Sequence, residues 1–158
     1  MKEPDLQHLR SAIAISRRSR EHGNQPFGAL LTGPDGEVLL EAEDTVVTGQ
    51  DCTGHAATNL MRGASHQLSA ELLAACTLYA STEPCPMCCA AMFWGGVVRV
   101  VFALSERAFY ELVGPDSDGL RGGCRDVFAH GQRAIEVHGP ALEDEALAVH
   151  QGFWGLRS

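Results

Sequence analysis

The sequence predicts an α/β protein in which a mixed sheet carries helices on both faces. Three observations lead there. Helix-period and strand-length apolar segments alternate in the order α-β-β-α-β-α-β-α-β-α. A strong turn signal, Gly33-Pro34-Asp35-Gly36, joins the first two strand-like runs. The most continuous apolar run, 97–104, contains β-branched residues and reads as a buried central strand. Strands joined through helices are expected to run parallel, and the opening hairpin antiparallel.

Each element has a local reason. Leu6, Leu9, Ile13 and Ile15 mark an amphipathic first helix that ends near His22-Gly23, where glycine stops it. Phe27 to Thr32 and Val38 to Ala42 are the strands of the hairpin. Thr53 and Gly54 lead into a helix carrying His55 and running to about Arg62, with a short helical stretch from Ser69 to Leu73. Cys76 to Ala80 is a strand. Cys85 to Phe93 is helical, its prolines Pro84 and Pro86 confined to the start, where a missing N–H does least harm. Ser105 to Leu112 opens like a capped helix. Gly114 to Gly123, rich in Gly, Pro and Asp, is a loop or a lid. Ala134 to His138 and Ala141 to Gln151 are the last strand and helix.

Length and charge narrow the classes. A chain of 158 residues is read as one domain, 1–158, that buries roughly 68–70% of its unfolded surface. A hydrophobic fraction of 45% with 20% charged residues is that of a soluble globular protein. The net charge of −8 argues against nucleic acid as a partner, because non-specific binding needs clustered Lys and Arg. Met1 to Asp5 holds no apolar signal region, and no run of about 18 apolar residues exists to span a membrane. A cytoplasmic location is expected. The six cysteines do not form a small secreted framework. Cys85, Cys88 and Cys89 are crowded together while Cys52, Cys76 and Cys124 are scattered, a pattern that suits a metal site in a reducing compartment.

His55, Cys85 and Cys88 are a ligand set for Zn²⁺ with one position left open. If each ligand begins a helix, the i, i+3 spacing puts both sulfurs on one side, and two positive helix ends help keep them ionised. The competing readings are half of a structural zinc ribbon or two buried thiols. A closed structural site needs four protein ligands, and no second C-x-x-C or H-x-H pair is present.

Gly54-His55-Ala56-Ala57, Ser81-Thr82-Glu83-Pro84-Cys85-Pro86-Met87-Cys88 and Gln25-Pro26-Phe27-Gly28-Ala29 together resemble the cytidine-deaminase-like zinc superfamily. Within it the chain is most similar to the bacterial guanine deaminase and nucleoside/nucleobase deaminase branch, over residues 5 to 153. The resemblance implies a three-layer α/β/α sandwich around a five-stranded mixed sheet, commonly a homodimer. It also implies hydrolytic removal of an amino group from a heteroaromatic ring, with zinc-activated water attacking the amine-bearing carbon and a Glu carrying the proton. By position that Glu corresponds to Ala57. Two accounts of Ala57 stand side by side: a natural binding protein on a deaminase scaffold, or a Glu→Ala substitution that traps bound substrate. The second is favoured because the rest of the machinery is present.

The resemblance extends to the pocket. Many relatives have an Asn eleven residues before the zinc histidine; here that position is Asp44, whose ionised carboxylate only accepts hydrogen bonds. The N–H groups of Ala56 and Ala57 address the ring, the Ser81 carbonyl meets the leaving amine, and Glu83 of the same motif is placed among the substrate contacts. Phe27 and Trp94 are candidates for stacking. Asp116 or Asp118 assists proton transfer, or the segment is a solvated acidic loop. Phe153 and Trp154 cap a pocket, their own or a partner's, or pin the last helix. The expected function is zinc-dependent deamination of a guanine-like purine base or its nucleoside, with this copy inactive through Ala57. The alternatives are a catalytically silent nucleobase-binding protein, a tRNA adenosine, cytosine or triazine/pterin deaminase, and a structural zinc module.

Overall fold

The computed structural model describes residues 1–154; residues 155–158, the end of the expected domain, lie outside the described residues. The elements follow in chain order: α1 (Glu3–Glu21), β1 (Gly28–Thr32), β2 (Val38–Glu43), α2 (Val46–Gly49), α3 (Ala56–Gln67), α4 (Ala70–Leu73), β3 (Thr77–Thr82), α5 (Pro86–Gly95), β4 (Arg99–Leu104), α6 (Glu106–Val113), α7 (Cys124–Ala129), β5 (Glu136–His138) and α8 (Glu143–His150). The five strands form one sheet in the order β2-β1-β3-β4-β5. β1 is antiparallel to both β2 and β3, and the β3–β4 and β4–β5 pairs are parallel. The mixed sheet is as expected, and β2 and β3, joined through helices, run the same way with β1 between them.

Alternation along the strands explains the layers. Ala29, Leu31, Leu78, Ala80, Val100 and Phe102 face one side of the sheet, where α3, α5 and α7 pack on them. Their neighbours Leu30, Tyr79, Val101 and Ala103 face the other, beneath α1 and α8. Both faces of β1, β3 and β4 are therefore covered, which is why these strands read as nearly continuous apolar runs. Gly28 lets α1 lie directly on β1: a Cβ there would sit 2.6 Å from the Ala12 carbonyl oxygen and the Ser16 nitrogen.

The far end of α1 is clamped to the sheet. Asp5 is buried and accepts two guanidinium N–H groups of Arg99 at 2.9 and 3.0 Å, the Tyr79 hydroxyl at 2.6 Å and the Lys2 backbone N–H at 3.1 Å. These bonds, those from Arg99 first, hold its carboxyl well below the usual carboxylate range. Replacing Asp5 with alanine strands the guanidinium and is expected to cost about 3 kcal/mol of stability. A urea midpoint that moves by less than the equivalent of about 1 kcal/mol would show the clamp to be dispensable.

Two helices went unanticipated. α2 is built from Val46-Val47-Thr48-Gly49, poor helix formers held by tertiary contacts: Asn24 Oδ1 accepts the Thr48 N–H at 2.9 Å, and Asp44 Oδ1 accepts the Val46 N–H at 2.9 Å. α7 follows the glycines of the 114–123 segment, which is a loop as expected.

Candidate active site

His55 and Cys85 occupy the N-cap positions of α3 and α5, one residue before the helical spans, and Cys88 lies in the first turn of α5. The open N-terminal N–H groups of two helices thus converge on one spot. A polar brace fixes the loop that delivers His55. The Asn59 side-chain amide donates to the Glu43 carbonyl, Thr45 Oγ1 and the Gly54 carbonyl at 2.9–3.1 Å. Gly54 fits beneath it because a Cβ would come within 2.8 Å of Thr45 Oγ1.

The donor atoms of His55, Cys85 and Cys88 all lie within 4.8 Å of one another. His55 Nδ1 is 3.4 Å from Cys85 Sγ and 3.7 Å from Cys88 Sγ. Zinc–nitrogen and zinc–sulfur bonds at a tetrahedral angle place those atoms about 3.6 Å apart, so the spacing fits one ion. Protonation points the same way. The Cys85 thiol is held well below its usual range by the hydrogen bond from Cys88 and then by His55, while Cys88 is pushed up by Cys85 and by burial. His55 is raised, chiefly by its bond to Cys85. A thiolate crowded by two proton-holding neighbours is a donor set whose protons a divalent cation replaces. Thr58 Oγ1 lies 3.3 Å from Cys88 Sγ and offers the sulfur a further hydrogen bond.

The three donors line a cavity of about 1030 Å³. Ala56, Ala57, Ser81, Glu83, Phe27 and Trp154 of the expected residues line it as well, and Asp116 and Asp118 stand where the 114–123 loop borders it. Ala57 presents a methyl group at the position of the expected carboxylate.

Other expectations need correction. Trp94 does not reach the cavity; it sits at the outer side of the end of α5, 84% exposed. Asp44 is 0% exposed and stands behind the wall, with Oδ1 committed to the Val46 N–H and Oδ2 without a hydrogen-bond partner among the described residues. Burial raises its pKa. Phe153 is not a wall residue: its ring lies under the Arg20 guanidinium, 5.6 Å from centroid to Cζ, and against Trp154. Glu83 does line the cavity, but Oε1 accepts the Glu106 N–H at 2.8 Å and Oε2 the Cys124 N–H at 2.9 Å. Its carboxylate is a staple joining α6 and α7 to the end of β3.

Sequence reasoning named Phe27 and Trp154 but passed over Phe109, which joins them in an aromatic wall. Phe27, Phe109 and Trp154 meet edge-on or tilted, with centroids 5.6–6.2 Å apart. Trp154 therefore borders the cavity of its own chain. Its indole Nε1–H donates to His150 Nδ1 at 3.0 Å, so that nitrogen must be unprotonated. His150 is 2% exposed, and burial, with help from Arg20, lowers its pKa to about 4. Unfolded, the ring titrates near its ordinary 6.5. The unfolded chain thus takes up the proton first, so this contribution is complete above about pH 6.5 and is lost as pH falls toward 4. It amounts to about 3 kcal/mol at the limit. Urea midpoints measured from pH 7 to 4 should fall more steeply for the unaltered chain than for His150→Phe; equal slopes would contradict a buried neutral ring.

An open three-ligand metal site at the C-terminal ends of two parallel strands defines a catalytic centre of hydrolytic type. The cytidine and deoxycytidylate deaminase zinc-binding region matches residues 2–104, and the chain belongs to that family. It is 38% identical over 156 residues to a probable cytosine deaminase of Schizosaccharomyces pombe, covering 98% of this chain and 94% of that one. It is 41% identical over 136 residues to the guanine deaminase of Bacillus subtilis, covering 85% and 78%. The structure of a guanine deaminase from Nitrosomonas europaea superposes with a TM-score of 0.81 at 25% identity, covering 98% and 86%.

Proposed function

We propose that this chain is a zinc-dependent deaminase of a guanine-like purine base or its nucleoside whose proton-transfer step is disabled at position 57. The observation that carries the reading is the methyl of Ala57 in a cavity that otherwise holds a complete metal donor set. His55, Cys85 and Cys88 would hold zinc, which when bound supplies Lewis-acid activation of water. The chain's own residues then bind and orient. Phe27, Phe109 and Trp154 offer faces and edges to a flat ring. The free N–H groups at the start of α3 offer donors to the ring edge. Ala57 can neither accept nor deliver a proton, so the bound ring stays intact.

A homodimer and a cytoplasmic location accompany this reading. The second reading, a silent nucleobase-binding protein, shares every feature except catalytic ancestry of position 57. An Ala57→Glu variant loaded with zinc and offered purine, pyrimidine, pterin and triazine amines separates the two. Release of ammonia from any of them supports the deaminase; release from none removes it.

A further inference from the structure

The charge of the cavity wall is one-sided. Glu83, Glu106, Asp116 and Asp118 line it, and among the described residues no lysine or arginine does. Two of these carboxylates are fixed in place by the fold. Glu83 accepts the backbone N–H groups of Glu106 and Cys124, and Glu106 Oε2 accepts the Gly122 N–H at 3.0 Å. The nearby cation Arg121 is occupied on the ring of Tyr110, 4.0 Å from its centroid, and is not part of the wall. Phe27, Phe109 and Trp154 add an aromatic wall, and aromatic faces attract positive rather than negative charge.

Phosphate recognition calls for the opposite equipment: arginine forks, a lysine, or backbone donors unopposed by carboxylates. A ring bearing amino groups or ring N–H groups finds acceptors here, whereas a phosphate would enter a field of its own sign. We infer that the cavity takes an uncharged or positively charged amino-heterocycle, as free base or nucleoside, and rejects phosphorylated forms, including nucleotides and RNA. The inference rests on the deaminase-site reading above and narrows its substrate class.

Equilibrium dialysis of the zinc-loaded chain tests it, with guanosine against GMP and cytidine against CMP, the nucleoside controlling for the bulk of the ribose. For whichever base binds, the monophosphate should bind at least about tenfold more weakly at low salt. The gap should narrow in about 0.5 M salt, where exposed charges are screened. It should also narrow in an Asp116→Asn, Asp118→Asn variant of unchanged Tm. A monophosphate that binds as tightly as its nucleoside overturns the proposal, as does a gap indifferent to both salt and neutralisation. Failure of guanosine and cytidine, and of guanine and cytosine dialysed alongside them, to bind overturns instead the reading on which it rests.

Discussion

Ala57→Glu is expected to raise ammonia release from the preferred heterocycle by about 10²–10⁴-fold, the usual contribution of a positioned acid/base group. The side chain at this position starts in the first turn of α3, two residues after His55, and faces the cavity shared with both cysteines. One carboxylate there would serve twice, removing a proton from the attacking water and delivering it to the ring and the departing amine. The upper end of the range, about 5 kcal/mol of barrier, is therefore expected. Binding of the ring should change little, since the aromatic wall and the helix N–H groups are untouched. The comparison is kcat against KM at saturating zinc: a gain confined to KM would mean that position 57 orients the ring without moving a proton.

Cys88→Ser is expected to lower zinc affinity by more than about 10²-fold, beyond the usual penalty for an outer-shell change. The same loss should appear in stability. Metal bound at 100 to 1,000 times its Kd stabilises a folded chain by about 3–4 kcal/mol, or about 6–16 °C for a chain this size. Chelation should lower the Tm of the unaltered protein by that amount and leave Cys88→Ser unmoved. Cys89→Ser is the discriminating control. Cys89 is fully buried, and its Sγ donates to the Pro84 carbonyl at 3.5 Å, so this variant should keep one zinc per chain. Burial also pushes its thiol well above the usual range, as suits an inert packing group. Equal zinc loss in both variants would contradict the assignment of the ligand pair.

The fold was legible where local chemistry is decisive. Gly33-Pro34-Asp35-Gly36 makes the turn of the hairpin, with the Gly36 N–H on the Gly33 carbonyl, and Ser69 and Ser105 cap α4 and α6 through their side chains. The metal donors were legible because their types and spacing carry the chemistry. Pocket walls were not, because they depend on which face of an element turns inward. Trp94 belongs to a short helix apolar on nearly every side, so its composition does not reveal that residue 94 points to solvent while Met92 is fully buried. The staple at Glu83 and the contact of Phe109 with His150 and Trp154 join segments from separate parts of the chain. No periodicity links them. α7 did leave a signal, apolar residues at 124, 127 and 128, hidden behind the glycine-rich loop.

The most direct measurement is a single-turnover mixture, with the zinc-loaded chain in excess over a heterocycle labelled with ¹⁵N at its amino group. The label should remain on the ring, and the ring should remain bound to the protein, over a time in which Ala57→Glu converts it fully to ammonium. Ammonium released by the unaltered chain at the rate of that variant would contradict a proton-transfer step lost at Ala57.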